Sequence, residues 1–590
     1  MPGLAVIISG DEEQRNQSDL DRMVASLRHE AFYTSGTFYD DAVGLYVGWA
    51  LLPGCYSDCL PLRSPDGRYL LFFYGEHLSD GDGSMEVNAT AVLRQFEQHG
   101  LEALGRLNGW FQGVLADTRS KDVFVFNDRY GMQRLYVAAD GDTTLFASEA
   151  KALLAVRPRL CRLDPRGVAE FLTCGCVLEN RTLFSGVTTL PGGTIRTFTK
   201  AKPTCQRPYF HQQTWESQPA CSLTDFYAQV NESLPRAVER CLHSKLPLAI
   251  SLTGGFDTRL IMSCLNSHAG KLPCYTFGGM YRECFDVKIA RQVAELCRCP
   301  HQVLGLGKAF LDAFPDLAQK TVYISDGTLG ATNAYELYLN RLAREVAPVR
   351  LTGSYGSEVM RGARAFKAVH PTPGLIHSDF EPAIAAAIGT FNAMSPGHPV
   401  SFSVFKQAPW YYGNRLAVEQ SQVVVRTPFM DNEFVKLFYR RPAESEDGRQ
   451  LARRLIQHHS PRLAALPTDT GNCSYLRHQW SQFLFKADYC YKSGMPQWLE
   501  RVHYLLGPVQ PERLLIGRHR FAHFRVWFRN EVAPYVQEVL LDRRTASRPF
   551  FSHSFIERMV RQHIEGKRNY TDDIEHVLTL ELACRQFIDN

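Results

Sequence analysis

The feature that most constrains this chain is an apolar, strand-like run that passes through glycines directly into a helix-like run. Residues 248–252 read Leu-Ala-Ile-Ser-Leu, and residues 253–258 read Thr-Gly-Gly-Phe-Asp-Thr. The glycines permit a tight turn and let backbone N–H groups approach an anion closely. The helix start that follows adds unpaired N–H donors and the positive end of the helix dipole. The segment therefore predicts a phosphate-binding loop.

The acidic residue of this loop predicts a metal ion. Asp257 would repel a bound phosphate unless a cation shared the site, and Mg²⁺ is the hard, oxygen-seeking choice. The loop is not a Walker loop, because no Lys follows its glycines, and the chain has no G-x-G-x-x-G fingerprint. The alternative is an ordinary strand-to-helix turn. The nucleotide contacts predicted here are Ser251, Leu252, Thr253, Gly254, Gly255, Asp257 and Thr258.

The surrounding stretch alternates strand-like and helix-like runs. The strand-like runs are residues 248–252, 274–277 and 301–304, and the helix-like runs are residues 223–243, 259–267 and 287–297. This alternation predicts an α/β fold with a doubly wound parallel sheet. In such a sheet the strand ends at the switch point hold the ligand. Glycine-bearing polar segments follow the runs at 274–277 and 349–351, so Phe277, Gly278, Thr352 and Gly353 are predicted as further nucleotide contacts.

The first two hundred residues have a different pattern. Short aromatic and β-branched runs, such as residues 43–51 and 69–74, are broken by Gly, Asp and Pro. They predict a layered α+β domain with antiparallel pairing. A polar, Pro-bearing stretch at residues 199–224 is interpreted as the linker between domains. Residues 407–414 and 369–377 are interpreted as loops, and the chain beyond residue 408 as mostly helical.

Composition excludes several classes of protein. The formal net charge of +4 over 590 residues argues against a protein that coats nucleic acid. No run approaches the length of a membrane helix, and the start of the chain reads as a first strand rather than a signal peptide. The sixteen cysteines occur singly or in C-x-C pairs, which predicts reduced thiols rather than a zinc site. We expect a cytoplasmic protein.

Motifs from about residue 108 to the C-terminus resemble those of the asparagine synthetase family. Residues 127–136 and 145–153 resemble landmarks of its N-terminal glutaminase-type domain, residues 181–184 and 190–193 resemble the final strands of that domain, residues 253–258 resemble the S-G-G-x-D-S pyrophosphate loop, and residues 426–431 resemble R-x-P-F-x-D. The resemblance implies a glutamine amidotransferase-like domain at 1–205, an Ntn-hydrolase-like sandwich. It implies an ATP-pyrophosphatase domain at 206–590, with a helical C-terminal part.

The chain departs from the family at the position of the glutamine-hydrolysing nucleophile. Glutamine-using members expose a Cys at position 2, and here that residue is Pro2, which has no thiol. The nearest cysteines, Cys55 and Cys59, come far too late to serve as the terminus. We therefore expect no glutamine hydrolysis, and this places the chain in a branch similar to lasso-peptide cyclases and β-lactam synthetases.

Two further departures concern the synthetase domain. The family's third loop ends in an Asp-Glu pair, whereas this chain has Ser357 and Glu358. If the register of this loop is shifted by one residue, Glu358 supplies the Mg²⁺ carboxylate and Tyr355 takes the place of a catalytic Tyr of the β-lactam-forming relatives. The alternative is that both residues only pack and cap the local structure. The family's pyrophosphate-binding Lys is also absent from residues 465–472, where Arg453, Arg454 or Lys486 are candidate substitutes.

The resemblance implies an AMP-forming ligase that uses ATP and Mg²⁺. It would adenylate a carboxylate of a small molecule or peptide and pass the acyl group to an amine or to ammonia. One alternative is asparagine formation from aspartate and free ammonia, for which the sequence shows no cationic partner for the substrate. The other is a nucleotide-binding pseudoenzyme or assembly subunit. Neither nucleic acid nor a membrane is an expected partner, and a homodimer is left open.

Overall fold

The computed structural model describes residues 2–10, 13–54, 60–79, 88–265, 268, 270–468 and 516–589. Cys55, Cys59 and Lys486, and residues 469–472 of the stretch without the Lys, lie outside these ranges. Among the described residues, no helix combines the length and the apolar character needed to cross a membrane.

Two antiparallel sheets form the N-terminal part. The first has the order β10-β8-β9-β1-β3-β2 and the second has the order β12-β11-β7-β6-β5-β4. Their strands are β1 Gly3–Ile8, β2 Thr34–Asp40, β3 Leu45–Leu51, β4 Leu62–Arg63, β5 Tyr69–Gly75, β6 Phe111–Asp117, β7 Asp122–Asn127, β8 Tyr136–Asp140, β9 Thr143–Ala147, β10 Thr188–Thr189, β11 Thr194–Thr199 and β12 Lys202–Pro208. The predicted antiparallel layers are thus confirmed.

Helices cover the outer faces of these sheets. They are α1 Glu13–Leu27, α2 Asn88–His99, α3 Ala150–Leu154 and α4 Pro165–Cys174. Along β1, Leu4, Val6 and Ile8 enter the core between the sheets, whereas Ala5 and Ile7 join the cluster that contains residues of α1. This alternation is what successive side chains of a strand produce. The result is a four-layer sandwich.

The predicted linker differs from the structure. Residues 202–208 form β12, which pairs with β11 at the edge of the second sheet, and all its residues are exposed. That exposure explains why the run reads as polar, since an edge strand needs no apolar alternation. The antiparallel unit therefore extends beyond residue 205. Phe210 packs against the buried Trp215, with ring centroids 4.8 Å apart.

A five-stranded parallel sheet organises the second part. Its order is β15-β14-β13-β16-β17, with strands β13 Leu248–Ser251, β14 Cys274–Gly278, β15 His301–Gly305, β16 Val349–Thr352 and β17 Val424–Arg426. From β13 the chain runs outward to β14 and β15, and then returns to add β16 and β17 on the other side. The predicted doubly wound sheet is confirmed, and its switch point lies between β13 and β16.

Helices pack on both faces of this sheet and form the C-terminal part. Those before residue 400 are α5 Gln213–Glu216, α6 Leu223–Leu242, α7 Phe256–Ser263, α8 Phe285–Leu296, α9 Lys308–Asp312, α10 Phe314–Ile324, α11 Ala334–Val346, α12 Gly356–Arg361, α13 Glu381–Met394 and α14 Pro399–Phe402. Later ones are α15 Gly413–Gln420, α16 Asn432–Tyr439, α17 Gly448–His459, α18 Pro461–Ala464, α19 Phe524–Trp527, α20 Ala533–Leu540, α21 Arg543–Ala546, α22 His553–Ile564 and α23 Thr571–Phe587.

One sequence-based expectation for this part was wrong. Residues 407–414, interpreted as a loop, belong to the π-helix Ser403–Tyr412 and the start of α15. The expectation that the chain beyond residue 408 is mostly helical is confirmed for the described residues, although this region also contains β17, which pairs with β16. Pro409 inside the helical run and the short length of β17 account for both differences, because each removes the usual signal.

The R-x-P-F-x-D segment joins the two parts of the molecule. Arg426 forms a bidentate ion pair with Glu76, with Nη2–Oε1 at 2.6 Å and Nε–Oε2 at 2.8 Å. Asp431 caps α16, pairs with Arg240 at 2.8 Å, and accepts a hydrogen bond from Asn108 Nδ2 at 2.8 Å. The segment is therefore a contact between the sandwich and the parallel sheet.

Candidate active site

A cavity of about 410 Å³ opens at the carboxyl ends of the parallel strands. The predicted residues that line it are Ser251, Leu252, Thr253, Gly255, Asp257, Thr258, Phe277, Thr352, Gly353, Tyr355 and Glu358. Gly254 and Gly278 are not part of this lining. The amide of Gly254 is turned toward α8, and Gly278 pairs within the sheet between β14 and β15. Residues chosen from three separate segments thus surround one cavity.

The first loop is closed by its own hydroxyl groups. The Oγ1 atoms of Thr253 and Thr258 lie 3.2 Å apart, and Thr258 Oγ1 also accepts a hydrogen bond from the Thr253 amide. Gly255 is the extended residue that precedes α7. Gly255, Asp257 and Thr258 at this helix start line the cavity, and a helix start is where backbone N–H groups can bind an anion.

Asp286, which was not predicted from the sequence, already uses one donor of this loop. Its Oδ1 accepts a hydrogen bond of 2.8 Å from the Gly254 amide, and the residue lies in the first turn of α8. A carboxylate at this amide shows that the turn binds an anionic oxygen. The signal was present in the sequence, since Asp286 follows the second strand end, but a single Asp in a helix start is usually only a cap.

The third loop lies directly on the first one. Ser357 Oγ donates a hydrogen bond of 2.7 Å to Asp257. A Cβ on Gly353 would lie 2.7 Å from the Thr258 amide nitrogen, and a Cβ on Gly356 would lie 2.7 Å from Asp257 Cγ. Only glycine permits this approach at either position without a shift of the neighbouring atoms. Tyr355, between them, has φ of 72° in the left-handed region, which a tyrosine seldom adopts.

Glu358 is paired with a tyrosine other than the predicted one. Its Oε1 accepts a hydrogen bond of 2.7 Å from Tyr412 Oη, at the end of the π-helix. The ring of Tyr355 stands edge-on to that of Tyr412 and to that of Trp110. Burial raises the pKa of Tyr355. The sequence could not indicate Tyr412, because fifty-four positions separate it from Glu358.

The two predicted metal ligands line the same cavity. Burial raises the pKa of Glu358, the nearby charge of Asp257 adds to this rise, and the Tyr412 hydroxyl opposes it. Two hard carboxylates at one site fit Mg²⁺, which typically takes one or two carboxylates and completes its shell with water and substrate phosphates. The described ranges contain no cluster of three or more acidic, His or Cys side chains arranged for a metal. When bound, Mg²⁺ would neutralise the charge of the phosphates.

The stretch that lacks the family's Lys begins beside the first loop. Arg259 is completely buried, and its guanidinium donates to the carbonyl oxygens of Leu466, at 2.8 Å, and Pro467, at 2.6 Å. The candidate substitutes Arg453 and Arg454 are exposed on α17 and do not line the cavity. The arginines in the lining are Arg350, Arg415 and Arg520.

Charged residues of α11, β16 and α15 form the opposite wall of the cavity. Arg415 Nε lies 2.8 Å from Glu419 Oε1 and 3.2 Å from Glu336 Oε1. Arg350 Nη1 lies 3.5 Å from Glu419, and its Nε donates a hydrogen bond of 3.1 Å to Ser251 Oγ. None of these four charged residues was predicted from the sequence. The sequence showed no cationic partner for a substrate carboxylate. The cavity contains two cationic side chains, Arg350 and Arg415, that could take this role.

Comparisons with known proteins cover most of the chain. The family profile described as a glutamine amidotransferase domain matches residues 1–210. The profile described as asparagine synthase matches residues 229–389 and 517–585. The interval between the last two ranges holds Tyr412, Arg415 and Glu419.

Individual relatives are more distant. A Mycobacterium tuberculosis (strain ATCC 25618 / H37Rv) protein, provisionally named a glutamine-hydrolyzing asparagine synthetase, is 26% identical over 335 residues, 52% of this chain and 49% of the relative. Bacillus subtilis (strain 168) glutamine-hydrolyzing asparagine synthetase 3 is 26% identical over 230 residues, 36% of this chain and 37% of the relative. The chain thus matches about half or less of the length of these relatives. A solved B. subtilis glutamine PRPP amidotransferase, complexed with ADP and GMP, aligns with 52% of this chain and 92% of its own at 11% identity and a TM-score of 0.25, too low to indicate function.

Proposed function

Because the chain belongs to the asparagine synthetase family, we propose that it is an ATP-dependent, AMP-forming ligase. It adenylates a substrate carboxylate and joins the acyl group to an amine or to ammonia. The observation that carries this proposal is the convergence of three strand-end loops, with Asp257 and Glu358, on one cavity at the switch point of the sheet. Positioning of the reacting groups and stabilisation of charge are the chief tasks of such a site.

Roles follow from the position of each residue. The hydroxyls of Thr253 and Thr258, together with the start of α7, bind phosphate oxygens, and Asp257 and Glu358 hold Mg²⁺. Gly353 and Gly356 keep the third loop against the first loop. Tyr355 stays protonated and can donate a hydrogen bond, because burial raises its pKa.

We also propose that the nitrogen does not come from glutamine. Pro2, at the position of the nucleophile in glutamine-using members, is buried. Burial raises the pKa of three described cysteines of the sandwich, Cys161, Cys174 and Cys176, and a fourth, Cys205, is exposed on the edge strand β12. A nucleophilic Cys needs the opposite shift.

A second candidate is asparagine formation from aspartate and free ammonia, which is favoured by the names of the relatives. ATP–pyrophosphate exchange with a panel of carboxylic acids, with AMP measured in parallel, tests both. Exchange with aspartate and formation of asparagine with ammonium would select the second candidate. Exchange with other acids alone would select a different amide ligase. No exchange with any acid, together with tight ATP binding, would indicate a pseudoenzyme.

A further inference from the structure

A second cavity, of about 400 Å³, lies between the sandwich and the second part of the molecule. The sandwich contributes residues from 129–136 and 189–192, among other segments, and the second part contributes residues from 405–414, in the π-helix and the start of α15. None of the described residues that line it also lines the active-site cavity. Its volume is in the range typical of sites for small organic molecules.

Three cationic side chains of this lining, Arg129, Arg134 and Lys406, have no described carboxylate within ion-pair distance. Arg129 and Lys406 donate hydrogen bonds to backbone carbonyls. Burial lowers the pKa of Lys406, and the charges of Glu216 and Glu179 oppose this only in part. A carbonyl oxygen accepts a hydrogen bond but carries no full charge, so the positive charges of this lining are not offset by direct contacts.

The acidic side chains of the lining are already paired with other cations. Glu179 lies 2.8 Å from Arg181, and this arginine also lies 2.6 Å from Glu170. Asp326 lies 3.1 Å from Lys151 and accepts further hydrogen bonds from backbone amides. The carboxylates of the second cavity are therefore engaged, and an anion that enters it would meet cations that have no such partner.

A phosphate monoester fits this lining better than a carboxylate or a bare ion. At neutral pH a monoester carries a charge of about −1.5 to −2 and three acceptor oxygens, whereas a carboxylate carries a single charge. Guanidinium and ammonium groups are the usual partners of phosphate. The cavity is also larger than one phosphate ion. The half-buried ring of Trp410 lines it and stacks on no other ring of the described residues, so this ring is suited to cover a flat organic group.

Arg134 connects the second cavity with the active site. Its Nη2 donates hydrogen bonds to the carbonyl oxygens of Pro409, at 2.5 Å, and Trp410, at 3.3 Å, in the π-helix. Tyr412, at the end of the same helix, donates the hydrogen bond that orients Glu358 in the active-site cavity. A phosphate bound to Arg134 would compete with the two carbonyls for this guanidinium. Its binding would therefore act on the helix that positions Tyr412.

We propose that the second cavity binds a small organic phosphate monoester and that this ligand regulates the active site. Arg129, Arg134 and Lys406 surround the phosphate, and the ring of Trp410 covers the organic part. The ligand is not a substrate, because the described linings of the two cavities have no residue in common. The site is independent of the reaction proposed above, since its ligand touches none of the loops to which that reaction is assigned.

Titration calorimetry with phenyl phosphate and phenyl sulfate tests the site. The two esters have the same shape but differ in charge, and a non-hydrolysable ATP analogue with Mg²⁺ is present to fill the active-site cavity. We expect phenyl phosphate to bind with a Kd of about 1 mM or below, and about 10-fold more tightly than phenyl sulfate or inorganic phosphate. Lys406→Met should weaken this binding about 10-fold, because it removes the charge and keeps the length of the side chain. Lys320→Met is the matched control, since Lys320 is 30% exposed, pairs with Glu30 and lies outside the second cavity.

Equal affinity for the two esters, or no binding of phenyl phosphate at about 10 mM, would overturn the proposal, whether or not the variant folds. Regulation is tested by the Kd of the ATP analogue with and without phenyl phosphate. This Kd should change about 5-fold in the wild-type protein and stay constant in Lys406→Met. An equal rise in both proteins would show competition at the first loop and overturn the proposal, and an unchanged Kd in the wild-type protein would overturn the regulatory role. Calorimetry follows binding alone, so these results hold whatever reaction the active site performs.

Discussion

The two walls of the active-site cavity differ in origin. The wall that carries the first loop and the third loop comes from residues that match the asparagine synthase profile, and glycines allow these two loops to lie close together. Arg415 and Glu419 of the opposite wall lie on α15, in the interval that the profile does not match, whereas Glu336 and Arg350 of that wall lie within the matched range. The first wall therefore lies within the matched range, whereas the second lies partly outside it.

The largest expected effect on activity comes from a substitution in the first loop. Asp257→Asn should reduce AMP formation by about 10³-fold or more, because it removes a charged ligand of the cation. The amide oxygen can still accept the hydrogen bond from Ser357, so circular dichroism and thermal unfolding should stay near those of the wild-type protein. Asp379→Asn is the control, since that carboxylate is 87% exposed outside the cavity. Near-normal AMP production by Asp257→Asn would show that Asp257 is not a ligand of the metal ion.

The contact between the first and third loops gives the next effect. Gly356→Ala should weaken ATP binding about 10-fold, because its Cβ would lie 2.7 Å from Asp257 Cγ and overpacking of this kind costs about 1–3 kcal/mol. Titration calorimetry with a non-hydrolysable ATP analogue measures it. Gly389→Ala is the control, because a Cβ at that helical position meets no atom within 4 Å. Equal affinity in both variants would show that the close approach does not matter for the nucleotide.

Tyr412 joins the two walls through Glu358, and its removal should have a moderate effect. Tyr412→Phe deletes the hydrogen bond that orients the carboxylate, so the Mg²⁺ concentration for half-maximal exchange should rise about 10-fold, as for other partners of metal ligands. Tyr39→Phe deletes a similar phenol–carboxylate contact at the surface, to Asp21, and should change nothing. An unchanged Mg²⁺ requirement in Tyr412→Phe would mean that Glu358 is not a metal ligand.

The smallest expected effect belongs to the sandwich. Addition of glutamine should yield no glutamate above a buffer control and no increase in product, because Pro2 stands at the position of the nucleophile and burial raises the pKa of Cys161, Cys174 and Cys176. Ammonium chloride or an amine supplies the positive comparison. Release of glutamate would contradict this prediction and would direct attention to a nucleophile among the other cysteines.

Most residues of the wall formed by the first and third loops could be predicted from the sequence, whereas the charged residues of the opposite wall could not. The reason is physical. The first loop is contiguous, so its glycines, hydroxyls and Asp257 carry their chemistry within six positions. Arg415 and Glu419 look in sequence like a common exposed pair one helical turn apart. Only the packing of α15 against α11 and the parallel sheet turns them toward a cavity. The partner of Glu358 was missed for the same reason, since long-range contacts leave no local pattern.

The contacts of Arg426 indicate what would happen if the N-terminal sandwich were removed. Its bidentate pair with Glu76 crosses between the two parts, and the adjacent Thr427 donates a hydrogen bond of 2.8 Å to the carbonyl of Ser354 in the third loop. A shortened gene that encoded only the second half would leave a buried guanidinium without its carboxylate, directly beside that link. The first half therefore contributes a structural contact to the second part, whether or not it has chemistry of its own.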